Sequence, residues 1–369
     1  MKLSTQRFLF WLRALLWTGI IFATLPYART WSDWLTQHFT GYFIPAVVIA
    51  FLLFCLIYTI TRLIKSRARL IDYILIAIVT AGYIYSLLQL KIVIEQVHFL
   101  EYGILANFSL KAVRLYRQDS GAYLITAFAV TLIGVADECV QGLLPDRIGE
   151  LHDVYLNIIS GLLALCWYRI ALNPVEIKAA MASAWTAALP ILGLILLLIG
   201  FFNSYLSDFG FLIIDHEIGA FYSRRRPADH PIDPRQIANF QNNLLPQLYQ
   251  TQYSILLKGI RHTLSEEALV HIFRRDRHLR DKDYITVYRE NQILEKYFHP
   301  FIAGTTYQWP AEKAEQIRLL SQDKLLEFYT SPVASHVITS FSEKTQWTVI
   351  IVIEFSIIVS VYLLRKRPY

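Results

Sequence analysis

Charged residues are scarce in this 369-residue chain, where they make up 17% of the sequence against 55% hydrophobic residues. A soluble domain carries about 25% charged residues, so the composition excludes an ordinary soluble protein and indicates an integral membrane protein. The net charge of +6 would suggest nucleic acid as a partner in a soluble chain. Here the basic residues lie mostly in short loops between apolar runs, which is the pattern that orients membrane helices. We therefore expect no nucleic-acid binding.

Cysteine is rare, and several motifs of known chemistry are missing. Cys55, Cys139 and Cys166 all lie inside apolar runs, so we expect no disulfide framework. The absence of a Gly-x-Ser-x-Gly elbow and of a phosphate-binding glycine loop argues against a serine hydrolase and against a nucleotide-driven mechanism. No small-x-small cleavage site follows the first apolar run, which we interpret as a retained anchor helix.

Long apolar runs are abundant, and eight of them approach the roughly 20 residues that a helix needs to cross a bilayer. They cover residues 8–25, 42–61, 70–90, 93–113, 122–143, 153–172, 185–206 and 347–364. The run 93–113 is the least apolar, because Glu95, Gln96, His98 and Glu101 lie in its first half and require a protein-facing position. The sequence predicts an all-α polytopic membrane protein with about eight transmembrane helices.

Basic residues collect in alternate loops of this arrangement. The loops on one side of the membrane are rich in Lys and Arg. The short loops on the other side carry only Arg29, Lys91 and Arg147. By the positive-inside rule, both termini are predicted to be cytoplasmic and residues 207–346 to lie outside the cytoplasm. We expect a multi-pass protein of the bacterial cytoplasmic (inner) membrane.

These assignments divide the chain into five parts. They are residues 1–90 with N-terminal transmembrane helices, 91–172 as a polar-residue-bearing core, 173–206 as the seventh helix, 207–346 as an extracytoplasmic domain, and 347–369 as a C-terminal helix and basic tail. The domain at 207–346 is predicted to be mostly helical, with an α+β fold left open.

Local signals within 207–346 give finer expectations. We expect an irregular connection after residue 213, a helix capped by Thr263 and reaching about residue 279, a strand at 284–288, a helix at 291–298, and a helix from Pro310 to about residue 329. The charged triplet at 215–217 and the basic helix face that carries His271 and His278 are predicted to be solvated.

Polar residues recur at helical spacing in three neighbouring spans. They are His98, Glu101 and Tyr102 on the fourth span; Asp137, Glu138 and Gln141 on the fifth; and Asp153, Asn157 and Gly161 on the sixth. Residues three or four apart share a helix face. The short connection at 145–149 makes the fifth and sixth spans antiparallel neighbours, so their polar faces are predicted to meet.

These residues, in this order and at this spacing, resemble the VanZ-like family, which is named after a protein linked to glycopeptide antibiotic resistance. The matching segments are His98-Phe-Leu-Glu101-Tyr102, Asp137-Glu138-Cys-Val-Gln141, Pro145-Asp-Arg147, and Asp153 with Asn157 and Gly161. The resemblance covers about 70 of the 369 residues. It implies a small polytopic membrane module with these polar positions as its signature, and it supplies no settled reaction. The additional spans and residues 207–346 lie outside it.

Several carboxylates in a partly desolvated site cannot all stay ionised cheaply, which is the condition for a general acid beside a general base. We therefore assign His98, Glu101, Asp137 and Glu138 as candidate catalytic residues. The candidate substrate-binding residues are Tyr102, Gln141, Arg147, Asp153 and Asn157. Three alternatives stay open: a structural polar network, binding without chemistry, and a divalent metal held by the same acids with His98 and His152. No metal site is assigned, because the spacing matches no tight ligand motif, and the cofactor is unknown.

The preferred hypothesis is an envelope protein that binds, and in its catalytic version modifies, a membrane lipid or lipid-linked glycan at the outer leaflet. Whether the protein is an enzyme stays open. The alternative is a non-enzymatic scaffold that presents its extracytoplasmic domain to an envelope protein partner. A transporter is disfavoured, because the polar groups cluster on one side and no inverted repeat is visible.

Overall fold

A computed structural model describes residues 3–39, 42–90, 93–144, 149–172, 181–224, 232–250, 263–321 and 327–366. The chain divides into two compact units. The first contains Met1–Phe201 and Val349–Tyr369, and the second contains Phe202–Thr348.

The first unit is helical. Its helices are α1 (Leu3–Thr24), α2 (Ala28–His38), α3 (Phe43–Lys65), α4 (Leu70–Gln89), α5 (Val97–Val113), α6 (Gly121–Leu143), α7 (Leu151–Leu172) and α8 (Met181–Phe201). Short 3-10 turns at Leu25–Tyr27 and Val93–Gln96 precede α2 and α5. The 11-residue helix α2 lies in a loop for which the sequence suggested no helix. Arg69 is the N-cap residue of α4, and its backbone N–H donates to the Asp72 carboxylate at 3.1 Å. This contact satisfies one of the backbone donors that have no partner within a helix at its start.

Seven helices among the described residues are long and apolar enough to cross a membrane. They are Arg7–Tyr27, Phe43–Lys65, Leu70–Gln89, Gly121–Leu143, Leu151–Ala171, Ser183–Leu206 and Glu343–Lys366. The mostly helical, multi-span fold predicted from the sequence is confirmed.

The remaining predicted span, 93–113, forms the 17-residue helix α5 after its 3-10 turn. This helix packs against α1, α6 and α7, and Tyr102, Leu105 and Ala106 on it are fully buried. Tyr102 therefore lies within a helix bundle, where a polar side chain finds the partners that lipid does not offer.

The second unit combines a small sheet with helices. Strands β1 (Phe211–Asp215) and β2 (Gly219–Ser223) pair antiparallel, and β3 (Thr330–Ser331) pairs parallel with β2. The helices are α9 (Pro234–Asn239), α10 (Leu264–Arg280), α11 (Tyr284–Tyr297), α12 (His299–Ile302) and α13 (Ala311–Leu320), and α14 (Glu343–Lys366) follows them. A buried apolar core joins the sheet to these helices through Phe221, Phe240, Ile272, Leu294 and Phe298.

Two local predictions for this unit are confirmed. The Thr263 hydroxyl accepts from the Glu266 backbone N–H at 3.2 Å and caps α10. The helix predicted at 291–298 is present as the second half of α11.

Three others are wrong. The predicted strand at 284–288 is the first turn of α11, because Asp283 accepts from the Thr286 backbone N–H and starts a helix; tertiary packing of Val287 overrides the strand preference of this β-branched and aromatic run. The connection predicted to be irregular contains the hairpin of β1 and β2. The helix that Pro310 caps ends at Leu320, before the predicted residue 329.

Candidate functional site

Tyr102 and Asp137 form the centre of a buried polar cluster in the first unit. The Tyr102 hydroxyl on α5 donates to Asp137 Oδ2 on α6 at 2.8 Å. The exposed fractions of the two side chains are 0% and 1%. A carboxylate so deeply buried needs hydrogen-bond donors, and the tyrosine supplies one from the neighbouring helix.

Glu138 connects the end of α6 to the start of α7. Its Oε1 accepts from the Gln141 side-chain amide at 2.9 Å, and its Oε2 accepts from the Glu150 backbone N–H at 3.2 Å. Glu138 is fully buried. Because both carboxylate oxygens already accept from the protein, Glu138 holds the end of α6 next to Glu150, the residue before α7.

Gly134 permits α6 and α7 to approach at the same level. A Cβ atom on Gly134 would lie 2.8 Å from Asn157 Cβ and 3.3 Å from Tyr102 Cε1. Asn157 Nδ2 donates to the Gly134 carbonyl at 3.4 Å, and its buried Oδ1 has no hydrogen-bond partner within the described ranges. One turn on, Gly161 lies against Val130, whose Cγ1 would be 2.7 Å from an added Cβ.

His98 and Glu101 are the less enclosed members of the predicted catalytic set. Their side chains are 14% and 27% exposed, and His98 Nδ1 lies 3.9 Å from Glu101 Oε2. The Glu101 backbone carbonyl accepts from Trp17 Nε1 of α1 at 2.9 Å. Glu101 and Glu138 also act electrostatically on the Tyr102 hydroxyl, so the α5 and α6 acids belong to one neighbourhood.

Asp153 lies with a different group of residues from the one predicted. It pairs with His152 at 3.6 Å, and ligand atoms of Glu95, His152 and Asp153 all lie within 4.8 Å of one another. Sequence reasoning missed Glu95 as a member of the site, although its place in the first half of an apolar run was a signal. The predicted binding residue Arg147 lies outside the described residues, as do Pro145 and Asp146.

Sequence reasoning also missed Glu354, an acid within the last apolar run. A Cβ on Gly193 of α8 would lie 2.6 Å from Glu354 Oε2 of α14. The missing side chain at Gly193 therefore makes room for the carboxyl group.

A second polar cluster lies within the second unit, centred on the fully buried Glu290 of α11. Its carboxylate contacts His271 Nδ1 at 2.5 Å, Arg274 Nε at 2.8 Å and Ser331 Oγ at 2.9 Å, and accepts from the Tyr329 hydroxyl at 2.5 Å. Burial acts to raise the pKa of Glu290, but the contacts with His271, Tyr329 and Ser331 outweigh it and leave the pKa lowered. The predicted solvated position of His271 is wrong: this face of α10 packs inward, and His271 and Arg275 are fully buried.

The predicted solvated position of Asp215 is also wrong. Asp215 is buried, and its carboxylate pairs with Lys296 Nζ at 2.7 Å and accepts from the Tyr297 hydroxyl at 2.6 Å. Although burial opposes the change, these two donors lower the pKa of Asp215. Glu217 is 80% exposed, as predicted for the solvated triplet.

The fold and the first cluster define a polytopic helical membrane protein with acidic residues inside its bundle. A family model described as VanZ/LLP1 matches residues 10–172, a little under half of the chain. The match confirms the resemblance to the VanZ-like family for this segment, which carries the polar residues, in a chain with membrane-length helices. No curated protein and no solved structure gives a match.

Proposed function

We propose that this VanZ-like protein binds a membrane lipid or lipid-linked glycan through α5 and the helices around it. The observation that carries the proposal is that one short segment of α5, residues 98–104, supplies both the polar pair His98–Glu101 and part of the wall of an apolar groove. An amphipathic ligand requires both surfaces.

The groove lies between α3, α4, α5 and α7. Aromatic side chains dominate its lining, with Phe51, Tyr58, Phe99, Trp167 and Tyr168 among them. A buried hydrogen bond from Trp167 Nε1 to the Thr59 hydroxyl, 2.9 Å long, joins α7 to α3 along it. Such a lining favours a hydrocarbon chain over a polar ligand, so we assign the groove to an acyl or prenyl chain.

The buried acids and the less enclosed pair have different roles in this proposal. Asp137 and Glu138 are enclosed and hold α5, α6 and α7 together through Tyr102 and the Glu150 backbone. His98 and Glu101 retain accessible surface, so the catalytic version assigns proton transfer to this pair. The predicted binding residues Gln141 and Asn157 are as enclosed as the two acids, so the proposal assigns the contact with the polar part of the ligand to His98 and Glu101.

The proposal places the protein in a bacterial cytoplasmic membrane, with both termini in the cytoplasm and residues 207–346 outside. The support is the distribution of basic residues between alternate loops. This orientation directs the segment from His98 to Glu101 toward the outer leaflet.

The second unit favours a second candidate function. Residues 202–348 form a compact unit with a core of their own, which a scaffold presenting this unit to an envelope protein partner would need. In that case the second unit, anchored on an unrelated helix, rescues a deletion strain. Failure of the rescue would contradict the scaffold.

Lipid analysis of the purified full-length protein tests the first candidate. The protein is extracted with its surrounding membrane, and co-purified lipids are compared with the bulk membrane by mass spectrometry. We expect one lipid class to be enriched in the wild type and reduced about tenfold in Glu101→Gln and His98→Gln, as the loss of one charged contact predicts. His38→Gln, on the exposed surface of α2, is the matched control and keeps the enrichment. A wild-type lipid profile equal to that of the bulk membrane would contradict the proposal.

A further inference from the structure

Glu95, His152 and Asp153 bring three metal-ligating side chains together beside the buried cluster. One ligand atom from each lies within 4.8 Å of the other two. Glu95 comes from the 3-10 turn before α5, and His152 and Asp153 come from the first turn of α7. Glu95 lies 57 and 58 positions before His152 and Asp153 in the chain, and the three residues meet because α5 and α7 pack together.

Among the residues that the structure describes, the charges close to this group are mostly negative. The Glu95 carboxylate is repelled by Asp153 and by the nearby Glu150, and His152 is the one attractive neighbour among its principal electrostatic contacts. Along the described part of the chain, no lysine or arginine forms an ion pair with Glu95, Glu150 or Asp153. Neighbouring carboxylates without a counter-charge repel each other, and a bound cation removes that cost.

We propose that Glu95, His152 and Asp153 bind a divalent cation of the zinc class. Two carboxylate oxygens and one imidazole nitrogen are ligands that Zn²⁺ accepts, and three protein ligands leave one position for water or another oxygen. The imidazole disfavours Mg²⁺ and Ca²⁺, which take oxygen ligands. This inference goes beyond lipid binding and does not depend on it.

The geometry requires only small side-chain movements. Zinc ligands lie about 2.0–2.2 Å from the metal, which places tetrahedral ligand atoms about 3.4 Å apart. Atoms that now lie up to 4.8 Å apart must therefore approach each other by about 1.4 Å or less. The His152 side chain is 58% exposed and the Asp153 side chain 18%, and an exposed imidazole can rotate without disturbing the core. The amino-terminal dipole of α7 opposes a cation, but two full negative charges on the ligands exceed its partial charge.

A hydrogen bond joins the segment that carries the proposed zinc ligands to the buried cluster around Glu138. Glu150, two residues before His152, donates its backbone N–H to Glu138. A cation that holds the start of α7 against the turn before α5 therefore also holds the partner of Glu138 in place.

Zinc binding by the full-length protein in detergent tests the proposal. Metal is removed with a chelator, the protein is dialysed against Zn²⁺ alone or Mg²⁺ alone, and bound metal is measured by mass spectrometry. We expect one Zn²⁺ per chain and much weaker Mg²⁺ binding. Loss of an outer-shell partner alone lowers metal affinity about 10- to 100-fold, so each of Glu95→Gln, His152→Gln and Asp153→Asn, which removes a ligand, should lower Zn²⁺ affinity at least that much.

The matched control is His299→Gln in the second unit. His299 pairs with Glu295 at 3.2 Å and belongs to no group of three ligands within the described ranges. Its loss should leave Zn²⁺ binding unchanged. An equal loss in the control, an unchanged affinity in all three ligand variants, or a wild type that binds no Zn²⁺ because a cationic side chain balances the acids would each overturn the proposal.

X-ray absorption at the zinc edge identifies the ligand atoms in the wild type, so it tests the proposal even if the ligand variants fail to fold. The zinc-loaded wild type should show one imidazole and otherwise oxygen neighbours. A shell that contains a thiolate, or one without imidazole, would overturn the assignment.

Discussion

The Tyr102 hydroxyl lies 2.8 Å from Asp137 Oδ2 and ties α5 to α6 at a point where both side chains are buried. This contact explains how an acidic residue is tolerated inside a membrane bundle. Asp137 and Tyr102 are both enclosed by the bundle. His98 and Glu101 are therefore the members of the predicted catalytic set with the most accessible surface.

Removing the Tyr102 hydroxyl should destabilise the first unit. Tyr102→Phe leaves a buried carboxylate without this donor, and we expect a loss of about 1–3 kcal/mol, measured by thermal unfolding of the full chain in detergent. Tyr168→Phe is the control, because Tyr168 packs against the same core and its hydroxyl forms no hydrogen bond described here. Equal stability of the two variants would contradict the role of the contact.

Adding a methyl group at Gly134 should separate α6 from α7. The new Cβ would lie 2.8 Å from Asn157 Cβ, an atom fixed to the α7 backbone, so the helices must move. We expect Gly134→Ala to cost about 1–3 kcal/mol of stability, by the same unfolding measurement. Gly19→Ala on α1, where nothing lies within 4 Å, should be neutral or mildly stabilising. A neutral Gly134→Ala would show that the close approach is absent.

Lowering the pH should destabilise the second unit, because it protonates Glu290. Its carboxyl pKa is lowered from the ordinary 4.5, so the folded state holds this proton less tightly than the unfolded chain does. The stabilisation is complete above about pH 4.5 and declines as the pH falls through the folded pKa. Hydrogen exchange of α10 and α11 peptides, corrected for intrinsic rates, should reveal this decline in the wild type.

Two variants separate Glu290 from general acid sensitivity. Glu290→Gln should remove the contribution of Glu290 to the pH dependence of hydrogen exchange. Glu315→Gln, which changes an exposed pair with Arg318, should leave that contribution in place. An unchanged pH profile in Glu290→Gln would refute the assignment.

Arg275 should not be replaceable by lysine. Its buried guanidinium donates to Asn291 and to the Tyr307 carbonyl, and lies 4.2 Å from the Trp309 ring centroid. A lysine cannot reproduce this planar set of donors, and we expect Arg275→Lys to cost about 2 kcal/mol or more, measured by denaturant unfolding of the full chain. Arg277→Lys, at a side chain that is 65% exposed, should cost less than about 0.5 kcal/mol.

Much of the first unit could be predicted from the sequence because apolar run length and helical spacing are strong signals. Seven spans follow from length and hydropathy, and the shared face of Asp137 and Gln141 follows from the helical repeat. The partners of each acid could not be predicted, because they depend on the rotation of each helix within the bundle. That is why Glu138 turns out to bond the Glu150 backbone and Asp153 turns out to lie beside Glu95.

The second unit was harder to predict because its signals are local and tertiary packing overrides them. The Thr263 cap follows from a short-range motif, and it is present. The run 284–288 favours a strand by residue type, yet it is helical because its apolar members pack into the core. The basic helix face that carries His271 was predicted to be solvated, and only the position of Glu290 in the fold explains why His271 is buried.

The most direct test of lipid binding is an experimental density map of the full chain in lipid nanodiscs. The proposal predicts an elongated density in the groove lined by Phe51, Phe99 and Trp167, with its polar end within hydrogen-bond distance of Glu101 or His98, and predicts that Glu101→Gln weakens this density. A groove filled by side chains, or a lipid whose polar end lies away from the segment from His98 to Glu101, would contradict it.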